Sequence, residues 1–102
     1  MKVEMTFDDA AIEALGHQRA DVARTLQSAF GRRGLRCTSD GEVLTFADAG
    51  HEGDYAQMWM LLIHLLQTDW FVQCAASCVF FDDDDSEEDV LAQATEIRKM
   101  LA

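Results

Sequence analysis

The segment from Tyr55 to Leu66 constrains the fold more than any other feature of the chain. Tyr55, Met58, Trp59, Met60, Leu61, Leu62, Ile63, Leu65 and Leu66 cover nearly every direction around a helix. Gln57, His64 and Thr68 leave only a narrow polar line, being seven and four residues apart. A helix of that kind has to be covered on two sides or sit between chains. Asp54 is placed to cap it, and it runs to about Thr68. The apolar run Met58 to Leu66 is broken by His64 and falls far short of the ~20 residues of a membrane span. No membrane partner is expected.

The other elements follow from spacing. Lys2 to Phe7 alternates, with Val3, Met5 and Phe7 on one side, which predicts a half-buried strand. Asp8 and Asp9 open a helical pattern (Ala11, Ile12, Leu15) that Gly16 interrupts. Val22, Ala23, Leu26, Ala29 and Phe30 resume it from about Ala20, and Gly31 to Gly34 stop it. Leu35 to Thr38 and Glu42 to Ala47 predict two strands joined by a hairpin at Ser39-Asp40-Gly41, where Gly supplies a positive φ. Ala49 to Gly53 reads as a loop. Trp70 to Cys74 extends the long helix or turns away from it, and Ala75 to Phe81 predicts a strand. Ser86 and Asp89 make an S-x-x-D start for a last helix with Val90, Leu91, Ala94, Ile97 and Leu101 as its stripe.

The order β-α-β-β-α-β-α predicts an α+β fold. It would be a ferredoxin-like β-α-β-β-α-β antiparallel sheet with two helices on one face and an additional C-terminal helix. The last helix would close an edge or cover part of the open face. An irregular α+β arrangement, with the last helix in the main helical layer, is the alternative. The length of 102 residues and 49% hydrophobic content predict a single compact domain over 1–102. Met1 to Phe7 lacks the basic-then-apolar pattern of a secretory leader, and an odd count of three cysteines is no disulfide scaffold. A reducing, cytoplasmic location is the expectation.

Charge is distributed unevenly. The net charge is −11, yet five of the eight basic residues lie between Arg19 and Arg36: Arg19, Arg24, Arg32, Arg33 and Arg36. Thr38 to Ile97 contains no Lys or Arg and 14 of the 19 acids. Such a field repels nucleic acid and anionic lipid and attracts basic partners. Direct nucleic-acid binding is not expected, because phosphate neutralisation dominates such affinity.

Asp82-Asp83-Asp84-Asp85-Ser86-Glu87-Glu88-Asp89 concentrates seven acids in eight positions. Asp82, Asp84, Ser86 and Glu88 superficially follow the alternate ligands of a calcium loop. Glu87 replaces the required glycine, however, and Gln93 stands where the bidentate acid belongs, so no metal is expected. Acids suit the first turn of a helix, which accounts for Ser86 to Asp89. It leaves Asp82 to Asp85 divided between a solvated loop and a docking surface whose carboxylates imitate phosphates.

Cys74 and Cys78 fall on one side at i, i+4, but no second pair completes a zinc signature, and Cys37 lies at the other edge of the expected sheet. They read as core residues. His51, Glu52 and Asp54 occupy a Gly-flanked loop suited to a base or ligand. No nucleophile motif accompanies them, and Tyr55 stands where H-E-x-x-H needs its second His. His64 reads as a core or interface residue, and His17 as a turn residue. Arg32, Arg33 and Arg36 suit a helix C-terminus, or an anion site or contact with the acidic part of a second copy. Head-to-tail pairing of that kind builds open chains unless it closes as a ring.

The leading expectation is a non-enzymatic module without cofactor that binds a basic protein partner through Asp82, Asp83, Asp84, Asp85, Glu87, Glu88 and Asp89. Glu52 and Asp54 are the additions. Its sharper form inhibits a nucleic-acid-binding protein by charge mimicry, with affinity falling as salt rises. A small-molecule sensor or small enzyme using the His51 loop and the open sheet face is the second expectation. A structural homodimer through the Met- and Trp-bearing helix is the third.

Overall fold

The computed structural model describes residues 1–84 and 86–101, with side chains as far as Glu96. Asp85 lies outside the described residues, as do the side chains of Ile97 and Leu101. The elements are β1 (Lys2–Phe7), α1 (Asp9–Ala14), α2 (Arg19–Arg32), β2 (Arg36–Asp40), β3 (Leu44–Ala47), α3 (Asp54–Leu66), α4 (Asp69–Cys74), β4 (Ala75–Phe81), β5 (Glu87–Asp89) and α5 (Val90–Leu101). The fold is α+β, a five-stranded antiparallel sheet in the order β2-β3-β1-β4-β5 combined with helices.

Strand alternation decides which side chains meet the helices. Val3 pairs with both Phe46 and Phe80, and Met5 with both Leu44 and Cys78, so these six share one face. They join the buried faces of α2 (Val22, Leu26, Phe30) and α3 (Met58, Leu61, Leu62, Leu65) in one apolar cluster. Phe30 stacks on Phe46 with ring centroids 3.9 Å apart and planes within 2°. The opposite face is largely polar. There Lys2 pairs with Glu4 and lies over the Phe81 ring, and Thr6 hydrogen-bonds Ser77.

The helix boundaries have local causes. The Asp8 side chain accepts from the amides of Ala10 and Ala11 to start α1. Gly16, with φ of 76°, turns the chain between α1 and α2 in a conformation other residues resist. Of the two alternatives for Trp70 to Cys74 the chain takes the second: α4 is a separate short helix, and β4 begins at Ala75.

Several expectations need correction. The sheet has five strands rather than four, so its order differs from the one expected. Ser86 to Asp89 reads as a helix start because acids suit a helix's first turn and are poor strand formers. The chain instead doubles back along β4, pairing Glu87 with Phe81, Glu88 with Phe80 and Asp89 with Val79. Satisfying backbone groups that β4 would otherwise leave unpaired outweighs the low propensity. Asp89, rather than Ser86, then caps α5 by accepting from the Ala92 amide at 3.0 Å.

The β2–β3 turn also falls later, at Gly41 to Val43. Arg19 donates to the carbonyls of Gly41 and Glu42, and the Ser39 hydroxyl to that of Val43. The glycines with positive φ are Gly16, Gly34 and Gly50, so Gly41 is not the pivot. Gly53, not Asp54, occupies the N-cap of α3, which ends at Leu66. Within the chain α3 is covered on one side, and Tyr55, Met60 and Ile63 remain 53%, 56% and 51% exposed, which is the interface alternative of the two expected for such a helix.

Candidate functional site

Strand pairing brings distant charges to one end of the sheet. Lys2 opposes both Ala47 and Phe81, Arg36 opposes Ala47, and Glu87 opposes Phe81. The starts of β1, β2 and β5 and the finishes of β3 and β4 therefore share that end. The α2 C-terminus, which runs into β2, arrives there as well. The basic cluster at Arg32, Arg33 and Arg36 and the acidic run after Phe81 thus stand at opposite sides of the same end. Four strand-to-strand steps of about 4.8 Å separate β2 from β5 by about 19 Å.

The acidic side is a hairpin loop. The Asp82 amide donates to the Ser86 carbonyl at 2.9 Å, and the Asp82 side chain accepts from the Asp83 amide at 2.7 Å. Asp84 accepts from both the amide and the hydroxyl of Ser86, and these bonds hold its carboxyl below the usual carboxylate range. Asp83 meets the Met1 amino group, which also lies 3.5 Å from Asp48. The hydrogen bond to Asp83 is the chief reason that this amine stays above its ordinary value, against the effect of burial. Turn chemistry therefore engages Asp82 and Asp84, and Asp89 is engaged in capping. Glu87 and Glu88 are exposed on an edge strand, and no cation among the described residues pairs with either.

Asp54 has a different environment. It is only 4% exposed, and it accepts from the amides of Ala49 at 2.7 Å and His51 at 3.1 Å. Burial raises its pKa, but those two amides and the His51 ring, with Nδ1 at 3.4 Å, hold it below the ordinary value. Its carboxylate faces the loop that it organises. Glu52 is exposed on that same loop. The structure thus places Glu52, Asp54 and the hairpin at one end, with Asp54 turned inward.

On the basic side, Arg33 donates to the Gln57 side chain at 3.0 Å and Arg36 to the Asp48 carbonyl at 2.9 Å. Arg32 is exposed. Among the described residues none of the three arginines forms an ion pair with a carboxylate, whereas Arg19 and Arg24 do. An open cavity of about 580 Å³ lies at this end, lined in part by Lys2, Arg36, Asp48, Phe81, Asp82 and Asp83.

The cysteines are free: Cys37 is exposed on β2, while Cys74 and Cys78 are buried. Burial pushes both buried thiols up, Asp8 adding to the effect at Cys74 and Asp89 at Cys78, which is raised to about 12. Among the described residues no group of three or more His, Cys, Asp or Glu side chains could hold a metal ion. No described helix is long and apolar enough to cross a membrane.

Sequence reasoning treated the arginines and the acidic run as separate patches and did not bring them to one end. The signal was the antiparallel path itself: the start of β2 and the finish of β4 fall at one end of the sheet. Comparisons with family models, curated proteins and solved structures found no match to the chain. The class that its fold and site define is thus an α+β domain carrying opposite charges on one end of its sheet.

Proposed function

We propose that this chain is a non-enzymatic binding module that captures a basic protein partner through its acidic hairpin. The observation that carries the reading is the exposure of Glu87 and Glu88 on an edge strand, with no described cation paired to either. Unpaired like charges exposed on an edge strand attract a cationic surface before contact and exclude anionic ones. The sharper form is inhibition of a nucleic-acid-binding protein in the cytoplasm, the carboxylates taking the place of phosphates in its groove. Steering brings the partner in, and competition with nucleic acid follows. The sheet is read as a ferredoxin-like core in strands β2-β3-β1-β4, with β5 as an added edge that presents the acids.

The test is capture from lysate by the tagged chain, eluted in salt steps, with partners identified by mass spectrometry. Basic nucleic-acid-binding proteins should leave at moderate salt and be displaced by added DNA or RNA. Substituting Glu87→Gln and Glu88→Gln should reduce their capture several-fold. Capture indifferent to both salt and these substitutions would remove the hairpin from the account. The bare stripe of Tyr55, Met60 and Ile63 supports a second reading, a structural subunit held by apolar contacts. Under that reading Met60→Glu abolishes assembly and salt leaves it intact.

A further inference from the structure

We infer that two copies of this chain dock end to end through the charged end of the sheet, about a two-fold axis normal to the sheet. Each copy's arginines beside β2 then meet the acidic hairpin of the other. Three observations lead there. Among the described residues, Arg32, Arg33 and Arg36 lie on one side of that end without a carboxylate ion pair, and Glu87 and Glu88 lie on the other without a paired cation. The strands that carry Arg36 and Glu87 are four steps, about 19 Å, apart, more than twice the screening length of about 8 Å at physiological salt, and no ion pair joins the arginines to the acids among the described residues. Both stand on the same end, because the register aligns Arg36, Ala47, Lys2, Phe81 and Glu87 across the sheet.

That last point settles the symmetry. Opposite charges on opposite poles of a molecule build open chains. Opposite charges on two sides of one end close into a pair, because a half-turn about the sheet normal exchanges left with right. A half-turn about the lateral axis would set acid against acid, so only the first arrangement is complementary. Two chains of net charge −11 repel at long range, so any pairing must rest on this local complementarity.

The inference goes beyond the function proposed above and is tested on purified chain alone, so either can fail without the other. If both hold, the second copy and the basic partner compete for one hairpin. Sedimentation equilibrium of the full chain should show a monomer–dimer equilibrium at 50 mM NaCl. The dissociation constant should rise by about tenfold or more at 500 mM. Arg32→Glu with Arg36→Glu should abolish the dimer, and so should Glu87→Lys with Glu88→Lys. The chain carrying all four substitutions keeps the net charge of −11 and should dimerise again, which also shows that the substitutions leave it folded. Should a charge reversal unfold the chain, the corresponding Gln substitutions replace it. A monomer at every concentration would overturn the inference, as would a four-fold variant that stays monomeric. A dimer that survives both reversals and is broken by Ile63→Glu would place the contact on α3 instead. Assemblies that keep growing with concentration would show open-ended pairing and refute the two-fold.

Discussion

Phe30 fixes the basic half of the charged end, and replacing it has a calculable cost. The ring is 0% exposed, and it stacks on Phe46 at 3.9 Å with near-parallel planes. Two residues later comes Arg32, and the α2 C-terminus then turns into β2 through Gly34, whose φ is 78°. Truncating a buried Phe to Ala costs about 3–5 kcal/mol, the spread reflecting how far the cavity collapses. A ring sandwiched between a helix and a central strand leaves little room for collapse, so the upper part of that range applies. A domain of this size has about 5–15 kcal/mol of stability in all, and each kcal/mol shifts Tm by about 4–8 °C. Phe30→Ala should therefore lower Tm by about 15 °C or more and remove a third or more of the folding free energy. Phe30→Leu keeps most of the volume and should cost less than about 1.5 kcal/mol. Urea unfolding followed by circular dichroism, with the slope checked for constancy across variants, measures both. A loss below about 1 kcal/mol for Phe30→Ala would mean that α2 is not seated on β3 as described.

Other outcomes follow from single contacts. Asp54 has a lowered pKa in the folded chain, so its contribution is present above the unfolded carboxylate value near 4 and lost as pH falls through the depressed folded value. Asp54→Ala should accordingly destabilise the chain at pH 7, with the difference from wild type shrinking toward pH 3; an equal deficit at both pH values would contradict the loop geometry. Asp89→Ala removes the α5 cap and should cost about 1 kcal/mol, read as a fall of a few degrees in Tm. Cys78, raised to about 12 by burial, and Cys74 should resist a thiol reagent in the native chain, while exposed Cys37 reacts. Native labelling of more than one thiol per chain would show that the core opens.

How much of this was legible in the sequence depends on how local the cause is. The alternation of Lys2 to Phe7 and the apolar stretch ending β4 identify strands because one face is buried and the other is not. The i, i+4, i+8 spacing of Val22, Leu26 and Phe30 identifies the buried side of α2 for the same reason. Gly16 separates two helices because its backbone requires φ of 76°. In contrast, β5 has no local cause. Glu87, Glu88 and Asp89 are poor strand formers, and only the open edge of β4, set by tertiary structure, draws them into the sheet. Asp82 to Asp85 divide in the sequence between a solvated loop and a docking surface, and the loop's own hydrogen bonds, in which Asp82 and Asp84 hold the turn, are not visible there. Asp54 was legible as important at the start of α3 and misread as outward-facing, since its partners are amides that no sequence pattern displays. The apolar girdle of α3 called for cover on two sides or a place between chains, and the chain itself supplies cover on one side, leaving Met60 and Ile63 bare.

The central claim is that the acidic hairpin holds a basic protein. The most direct measurement is the retention of captured partners as a function of salt, made in parallel for wild type and for the chain carrying Glu87→Gln and Glu88→Gln. The account predicts that wild-type retention falls steeply with rising salt, while the substituted chain starts several-fold lower and responds more weakly. Superimposable curves for the two chains would contradict it.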